Sequence, residues 1–302
     1  MSRVLLVAAA LCAACTPEPE MGDPQPWVAL DAMSGVMRPL VGVEPTPVRA
    51  RGAADGMLRV VTYNVEKGAR VDELAAAFFA DDELAKADLV LVQEIEDHPG
   101  EGGPRAARLA AKLGMGYVYA PERHAGNGTH GTAILSVFPL SNVRVMQLPR
   151  VDLPWSKAPR IALAADVDTG TRRFHVITMH LDTRLNIQQR ILQIRPAVLD
   201  APEGTIVGGD FNTNPFAWVD GTIPQVPANS VSGVDQAPML DDYMQHIGYQ
   251  TPTASSGATN HTALIDTRLD SIFVKGMEVA PGEVERDIDL SDHWPLWVDL
   301  IE

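Results

Sequence analysis

Several short apolar runs in this 302-residue chain end, or begin, on residues that bind cations or move protons. Leu58–Tyr63 stops at Asn64, Asp88–Val92 at Gln93-Glu94, and Phe174–Met179 at His180. Thr205–Gly209 stops at Asp210, with Asn212 two residues on. Asp270 lies near the start of Leu269–Val274, and Asp292-His293 lead into the final run, Trp294–Ile301. A buried carboxylate without a partner is costly, so Glu94 needs a cation, a hydrogen-bond network or solvent. One such residue carries little information. Many of them, all at strand ends or adjacent turns, can converge on one mouth. Carboxylate and amide oxygens suit Mg²⁺, Mn²⁺ or Ca²⁺. The chain has no cysteine cluster and no His-x-x-x-His helix, which argues against zinc.

The runs that must position these residues read as strands: short, rich in β-branched residues and bounded by turn residues. Their continuous apolar character implies burial on both faces. Further strands are predicted at Tyr117–Ala120, Thr132–Ser136, Val143–Leu148 and Ile161–Val167. Helices fall between them. One segment holds Leu74, Phe78 and Ala85. A second carries Ala106, Leu109, Ala110 and Leu113 on one face, with Gly114 as its stop. A third covers Asn186–Leu199, its end limited by Pro196. Many strands with scattered helices predict an α/β sandwich, two packed sheets with helices outside.

Five segments then appear in a telling order: Thr62-Tyr63-Asn64-Val65, Val92-Gln93-Glu94, Thr178-Met179-His180-Leu181, Gly209-Asp210-Phe211-Asn212 and Ser291-Asp292-His293-Trp294-Pro295. From Leu58 onward the chain resembles the endonuclease/exonuclease/phosphatase superfamily. That resemblance implies the deoxyribonuclease-I-like fold, a four-layered α/β sandwich with two packed mixed sheets flanked by helices. It implies a phosphoesterase in which Glu94 is the main ligand of Mg²⁺ (Mn²⁺ or Ca²⁺ being alternatives), supported by Asn64 and by Asp292 as ligand or as support. Phosphoester hydrolysis needs a positioned water, charge neutralisation and a route for the leaving oxygen. Asp210 would orient or deprotonate the water, and Asn212 would donate to a phosphate oxygen. His293 would act as base or phosphate donor, its tautomer fixed by Asp270. Whether Asp210 or the His293–Asp270 pair is the base stays open. His180, across the site, would donate to phosphate or assist the leaving group. Arg160 resembles a recurrent family arginine, for phosphate contact or fold support. His130 and Thr132, near Gly126-Asn127-Gly128, suggest a substrate-facing loop. Arg190 and Gln193 read as structural.

The N-terminus reads as an address. Met1-Ser2-Arg3, an apolar run Val4–Ala14 and Cys15 make a secretory signal too short to span a membrane. Leu11-Cys12-Ala13-Ala14-Cys15 resembles a bacterial lipoprotein signal, with Cys12 where Leu is usual. The expected organisation is a signal peptide at 1–14, a lipidated Cys15 opening a Pro-rich tether to residue 56, and the catalytic domain at 57–302. Within the tether, Val36–Val48 is apolar enough to lie along the domain. The expected location is outside the cytoplasm, anchored to a membrane through lipid or, alternatively, secreted. Lys+Arg is 24 and Asp+Glu 39, a net charge of −15, so no basic surplus draws the molecule onto nucleic acid. The expected substrate is a phosphorylated small molecule or lipid head group, with nucleic acid as the alternative. A non-catalytic binding module on the same fold is the competing class, and no protein partner is implied.

Overall fold

The strand runs are realised in a computed structural model that describes residues 21–23, 25–33, 35, 37–42, 56–151, 159–219, 221–225, 236–261 and 266–301. In chain order its elements are β1 (Val28–Ala29), β2 (Leu40–Val41), β3 (Met57–Lys67), α1 (Val71–Ala80), β4 (Leu89–Asp97), α2 (Arg105–Leu113), β5 (Gly116–Ala125), β6 (Gly128–Ser136), β7 (Leu140–Gln147), β8 (Ile161–Asp168), β9 (Arg173–His180) and α3 (Ile187–Val198). There follow β10 (Thr205–Asp210), the hairpin β11 (Ala217–Val219) and β12 (Ile223–Gln225), α4 (Gln236–His246), β13 (Tyr249–Gln250), β14 (Asn260–His261), β15 (Asp266–Thr267), β16 (Asp270–Lys275), β17 (Glu278–Val279), β18 (Glu283–Val284) and β19 (Leu296–Ile301).

Two mixed sheets result. One runs β17-β19-β3-β4-β6-β5-β2, with β18 also on β19; the other runs β1-β7-β8-β9-β10-β16-β13. Each has one parallel pair, β3–β4 in the first and β9–β10 in the second. Leu58, Val60, Leu89 and Leu91 of the first sheet pack with Val176, Ile206, Ile272 and Val274 of the second. The outer face of the first sheet is covered by α1 and α2 through Leu74, Phe78 and Leu109. The outer face of the second is covered by α3 and α4 through Ile194, Val198, Leu240 and Met244. The result is the four-layered α/β sandwich expected from the sequence.

Helix ends follow local chemistry. Gly114 takes φ +70 and closes α2, and Asn186 with Gln189 forms a capping box at the start of α3. Pro196 lies inside the last turn of α3, close to where the helix ends, as expected. The single helical segment expected over Leu74–Ala85 is divided. Asp81 Oδ1 accepts the N–H groups of Glu83 and Leu84 at 2.9 and 2.8 Å, ending α1 and opening a separate short turn, Leu84–Lys86. Helix α4 was not anticipated; its Pro238 falls in the first turn, where a missing N–H costs nothing.

Part of the Pro-rich stretch read as tether lies on the domain. Val28–Ala29 pairs with β7, and Leu40–Val41 pairs with β5, each extending a sheet edge. Residues 1–20, including Cys15, fall outside the described residues.

Candidate active site

The site is the open end of the inter-sheet core. Side chains on one face of a strand recur every second residue. On β3 the inward series runs Leu58, Val60, Thr62, Asn64; on β9 it runs Val176, Thr178, His180; on β10, Ile206, Gly208, Asp210. Apolar residues thus give way to a neutral polar tier and then to the charged mouth. Strands β3, β4, β9 and β10 finish at this end, while their antiparallel neighbours β16 and β19 begin there. In register, Asp210 stands opposite His180 on one side and Asp270 on the other.

Three bulges adjust the aim. The β4–β6 register shifts between Val92 and Ile95, the β3–β4 register between Asn64 and Lys67, and the β5–β6 register between Pro121 and Arg123. A bulge adds an unpaired residue and redirects its side chain. Glu94 sits in the first, with φ +59, and Glu122 is the extra residue of the third. Gly131 lies between, paired with Ile95 and Pro121; a Cβ there would stand 2.0 Å from the Ala120 carbonyl oxygen. Only glycine lets the strands close at that point. Non-glycine residues held at positive φ, such as Glu94 and Asn212, cost energy that the surrounding pairing must offset.

Asp210 is the hub. Its Oδ2 accepts from Asn64 Nδ2 at 3.0 Å and lies 3.5 Å from His180 Nε2 and 3.7 Å from His293 Nε2. Its Oδ1 accepts the Asn212 N–H at 2.8 Å. His293 Nδ1 meets Asp270 Oδ2 at 2.7 Å, and Thr259 Oγ1 donates to the same oxygen at 2.7 Å. Ser291 Oγ donates to the Asn64 carbonyl at 2.8 Å, tying the Ser291–His293 turn to the end of β3. Asn212 Nδ2 donates to the Leu181 carbonyl at 3.0 Å. Structure therefore brings Asn64, His180, Asp210, Asn212, Asp270 and His293 together. Glu94 Oε1 is 3.9 Å from His180 Nε2. Asp292 is exposed, its Oδ1 accepting from Ser291 Oγ at 3.3 Å.

Burial raises the Asp210 carboxyl above the usual carboxylate range, against the pull of His293 and with the help of Asp270. Burial opposes charge on His293, yet Asp270 and Asp210 outweigh it and hold the imidazole up to about 10. His180 is pushed well below its ordinary value by burial and then by the Arg160 cation. The two site histidines are thus set in opposite states, His293 charged and His180 neutral.

One other expectation changes. His130 and Thr132 do not form a substrate-facing loop. Both lie within β6, because the hairpin ladder continues down to Thr129 and beyond; His130 is buried and Thr132 Oγ1 donates to the Val92 carbonyl at 2.7 Å. Arg160 is largely buried, with Nε donating to Asp182 Oδ1 at 3.0 Å and Nη1 3.5 Å from Glu122 Oε2. Arg190 is fully buried and donates to the carbonyls of Asp182, Thr183, Leu185 and Phe211, fastening the loops after β9 and β10.

Glu122, Asp182 and Thr259 are site-adjacent groups that were not anticipated. Glu122 has the same signature as Glu94, a carboxylate at the end of an apolar run. Burial pushes it up to about 7.

By donor type, the oxygens of Glu94, Asn64 and Asp292 suit a hard divalent cation. Among the described residues the Glu94 carboxylate has no hydrogen-bond partner, and its strained backbone turns it to the mouth, where an ion can be reached from solvent. Asn64 Oδ1 accepts only the Glu66 N–H, at 3.1 Å, leaving a lone pair.

Comparisons accord with this arrangement. The chain matches the model of the Endonuclease/Exonuclease/phosphatase family over residues 61–293. A search of curated proteins gave no match. Among solved structures it is similar to an endonuclease/exonuclease/phosphatase from Beutenbergia cavernae (TM-score 0.60, 22% identity, 81% of this chain and 71% of that one). It is also similar to a family protein from Leptotrichia buccalis (TM-score 0.60, 14% identity, 80% and 99%). A third likeness is to the human Nocturnin catalytic domain with bound sulfate (TM-score 0.55, 18% identity, 82% and 93%).

Proposed function

The chain belongs to the endonuclease/exonuclease/phosphatase family, whose members hydrolyse phosphoester bonds, and from that premise we propose that it is an exported, divalent-metal-dependent phosphoesterase acting through an activated water. One observation carries the reading. A single carboxylate oxygen, Asp210 Oδ2, is ringed by Asn64, His180 and a His293 that Asp270 holds in place. A hydrolytic water seated against that oxygen would have donors for phosphate on either side.

The opposite states of the histidines divide the roles. His293 holds its proton and so serves as donor to a phosphate oxygen or to the departing group, while the raised Asp210 carboxyl is the group that orients and deprotonates water. His180 is a neutral donor. Asn212 spends one amide hydrogen on Leu181 and keeps the other for phosphate. A cation held by Glu94, with Asn64 and Asp292, supplies charge neutralisation at the phosphate.

For substrate, the net charge of −15 favours a phosphorylated small molecule or lipid head group over a nucleic acid. The test is a panel of DNA, RNA, sphingomyelin, inositol phosphates and bis-phosphodiester with Mg²⁺ or Mn²⁺. Hydrolysis of a small phosphoester is expected. Cleavage of nucleic acid alone moves the reading to a nuclease, and inertness on the whole panel moves it to a binding module. Export and anchoring rest on the N-terminal sequence. Cys15→Ala is expected to release the protein from membranes; unchanged membrane association of the processed variant overturns the anchor alone.

A further inference from the structure

Beside the Asp210 centre lies a second group of donor atoms that the hydrolytic reading leaves unused. Glu122 on β5, His130 on β6 and His180 on β9 come from both sheets, and one ligand atom of each lies within 4.8 Å of the other two. All three residues are more than nine-tenths buried. Both carboxylate oxygens of Glu122, Nδ1 of His130 and Nδ1 of His180 are buried with no hydrogen-bond partner. Two neighbouring charges make long ion pairs with the group rather than hydrogen bonds. Arg160 Nη1 is 3.5 Å from Glu122 Oε2, and Glu96 Oε1 is 3.6 Å from His130 Nδ1. Arg160 makes its closer contact with Asp182.

Buried polar atoms are ordinarily satisfied, and several orphans within one small group of residues call for a guest that takes electron pairs from them. An oxygen-only hard cation is a poor match for two imidazoles. One carboxylate and two imidazoles form a donor set of the zinc type, with an open fourth position. We propose that Glu122, His130 and His180 bind a second divalent cation of the zinc class, distinct from the oxygen-ligated cation at Glu94. Metal–ligand bonds of about 2.0–2.2 Å place tetrahedral donors roughly 3.4 Å apart. Closure by up to about 1.4 Å, through side-chain rotation, completes the site. Sequence spacing gave no hint of it, since the ligands meet only through strand pairing and the bulge that turns Glu122 inward.

Such a cation also gives His180 a defined tautomer. The ring directs Nε2 to Asp210 and Glu94, at 3.5 and 3.9 Å, and leaves Nδ1 unpartnered. With Nδ1 occupied, Nε2 keeps its hydrogen and remains a donor at the mouth. That consequence rests on the phosphoesterase reading; the binding itself does not.

The test uses the full chain without a histidine tag, stripped with chelator, held in excess Mg²⁺ to fill the oxygen site, and titrated with Zn²⁺ or Co²⁺ alone. One Zn²⁺ per chain is expected to be retained against Mg²⁺, and Co²⁺ is expected to give the visible absorption of a nitrogen-ligated, low-coordinate ion. Glu122→Gln and His130→Asn are each expected to weaken Zn²⁺ binding at least tenfold, whereas Glu94→Gln leaves it unchanged. Near-ultraviolet circular dichroism of the metal-free proteins checks folding. A parent chain that retains no Zn²⁺ in Mg²⁺ overturns the proposal whatever the variants do. So do folded Glu122 and His130 variants that bind Zn²⁺ as tightly as the parent. Zinc retention without turnover on any substrate would instead count against the phosphoesterase reading and leave this site standing.

Discussion

Gln93 Nε2 donates to Thr178 Oγ1 at 3.0 Å, a bond that joins the two sheets side chain to side chain directly beneath the site. The same amide donates to Thr62 Oγ1 at 3.1 Å. All three residues are fully buried. The apolar core below is non-directional and tolerates small slips, but this tier fixes β4 against β9. Glu94 follows Gln93, and His180 follows Thr178 by two residues. Their relative position is therefore inherited from this bond.

Gln93→Leu preserves bulk and strands two hydroxyls. Leaving a buried polar group unsatisfied costs about 1–3 kcal/mol, so a loss of that size or somewhat more is expected. Urea unfolding should show a lower midpoint with an unchanged slope. Thr178→Val combined with Gln93→Leu should cost less than the two single changes added, because they share one bond. Strict additivity would mean that the bond does not hold the sheets.

Glu94→Gln removes one negative charge at nearly constant shape. The variant should fold with a melting temperature close to that of the parent, since Glu94 has no hydrogen-bond partner among the described residues to lose. Its Mg²⁺ or Mn²⁺ affinity, read by calorimetry, should fall by tenfold or more, one carboxylate being a major part of the charge a hard cation sees. Unaltered metal affinity would remove Glu94 as a ligand.

The His293–Asp270 pair predicts a pH signature. Folding raises His293 from about 6.5 in the unfolded chain to about 10. A raised cationic pKa contributes stability that is fully present below about pH 6.5 and is lost as pH climbs through 10. Metal-free protein should therefore lose melting temperature between pH 7 and 10. The parent's advantage over His293→Gln should shrink across the same window. A difference between the two that stays constant from pH 6 to 10 contradicts a charged His293 in the fold.

Much of the site was legible because its residues sit at ends of unmistakable strands. Asn64, His180 and Asp210 each sit at the polar end of an apolar alternation, Asp270 opens β16, and His293 stands just before β19, both strands running the other way. What escaped notice depends on bulges. Pro121 reads as the end of a strand, yet β5 continues past it to Ala125 because the register slips there and leaves Glu122 unpaired. His130 looked like a loop residue for the same reason, since a pattern of Gly126, Asn127 and Gly128 marks a turn but not how tightly it closes. No local pattern reports that Glu122, His130 and His180 come together. That convergence is a property of strand order.

Catalysis supplies the sharpest separation between enzyme and binding module. The His293 backbone is fixed by the Ser291 turn, which Asn64 holds, and its ring by Asp270. His293→Ala should therefore leave the fold standing while removing a donor at the reacting phosphate. Loss of a positioned acid–base group costs roughly 10²–10⁴-fold, and lost phosphate stabilisation adds to it. Asp270→Asn keeps the volume and the hydrogen bond to Thr259 but no longer enforces the charge on His293, so kcat should fall with little change in KM. Because the two residues act as one unit, the double variant should be scarcely slower than His293→Ala alone. The measurement is steady-state turnover on the best substrate, with a thermal melt of each variant to show that it is folded. If both single variants are folded and retain near-parent kcat, His293 is not catalytic and the binding-module reading gains the ground that the phosphoesterase reading loses.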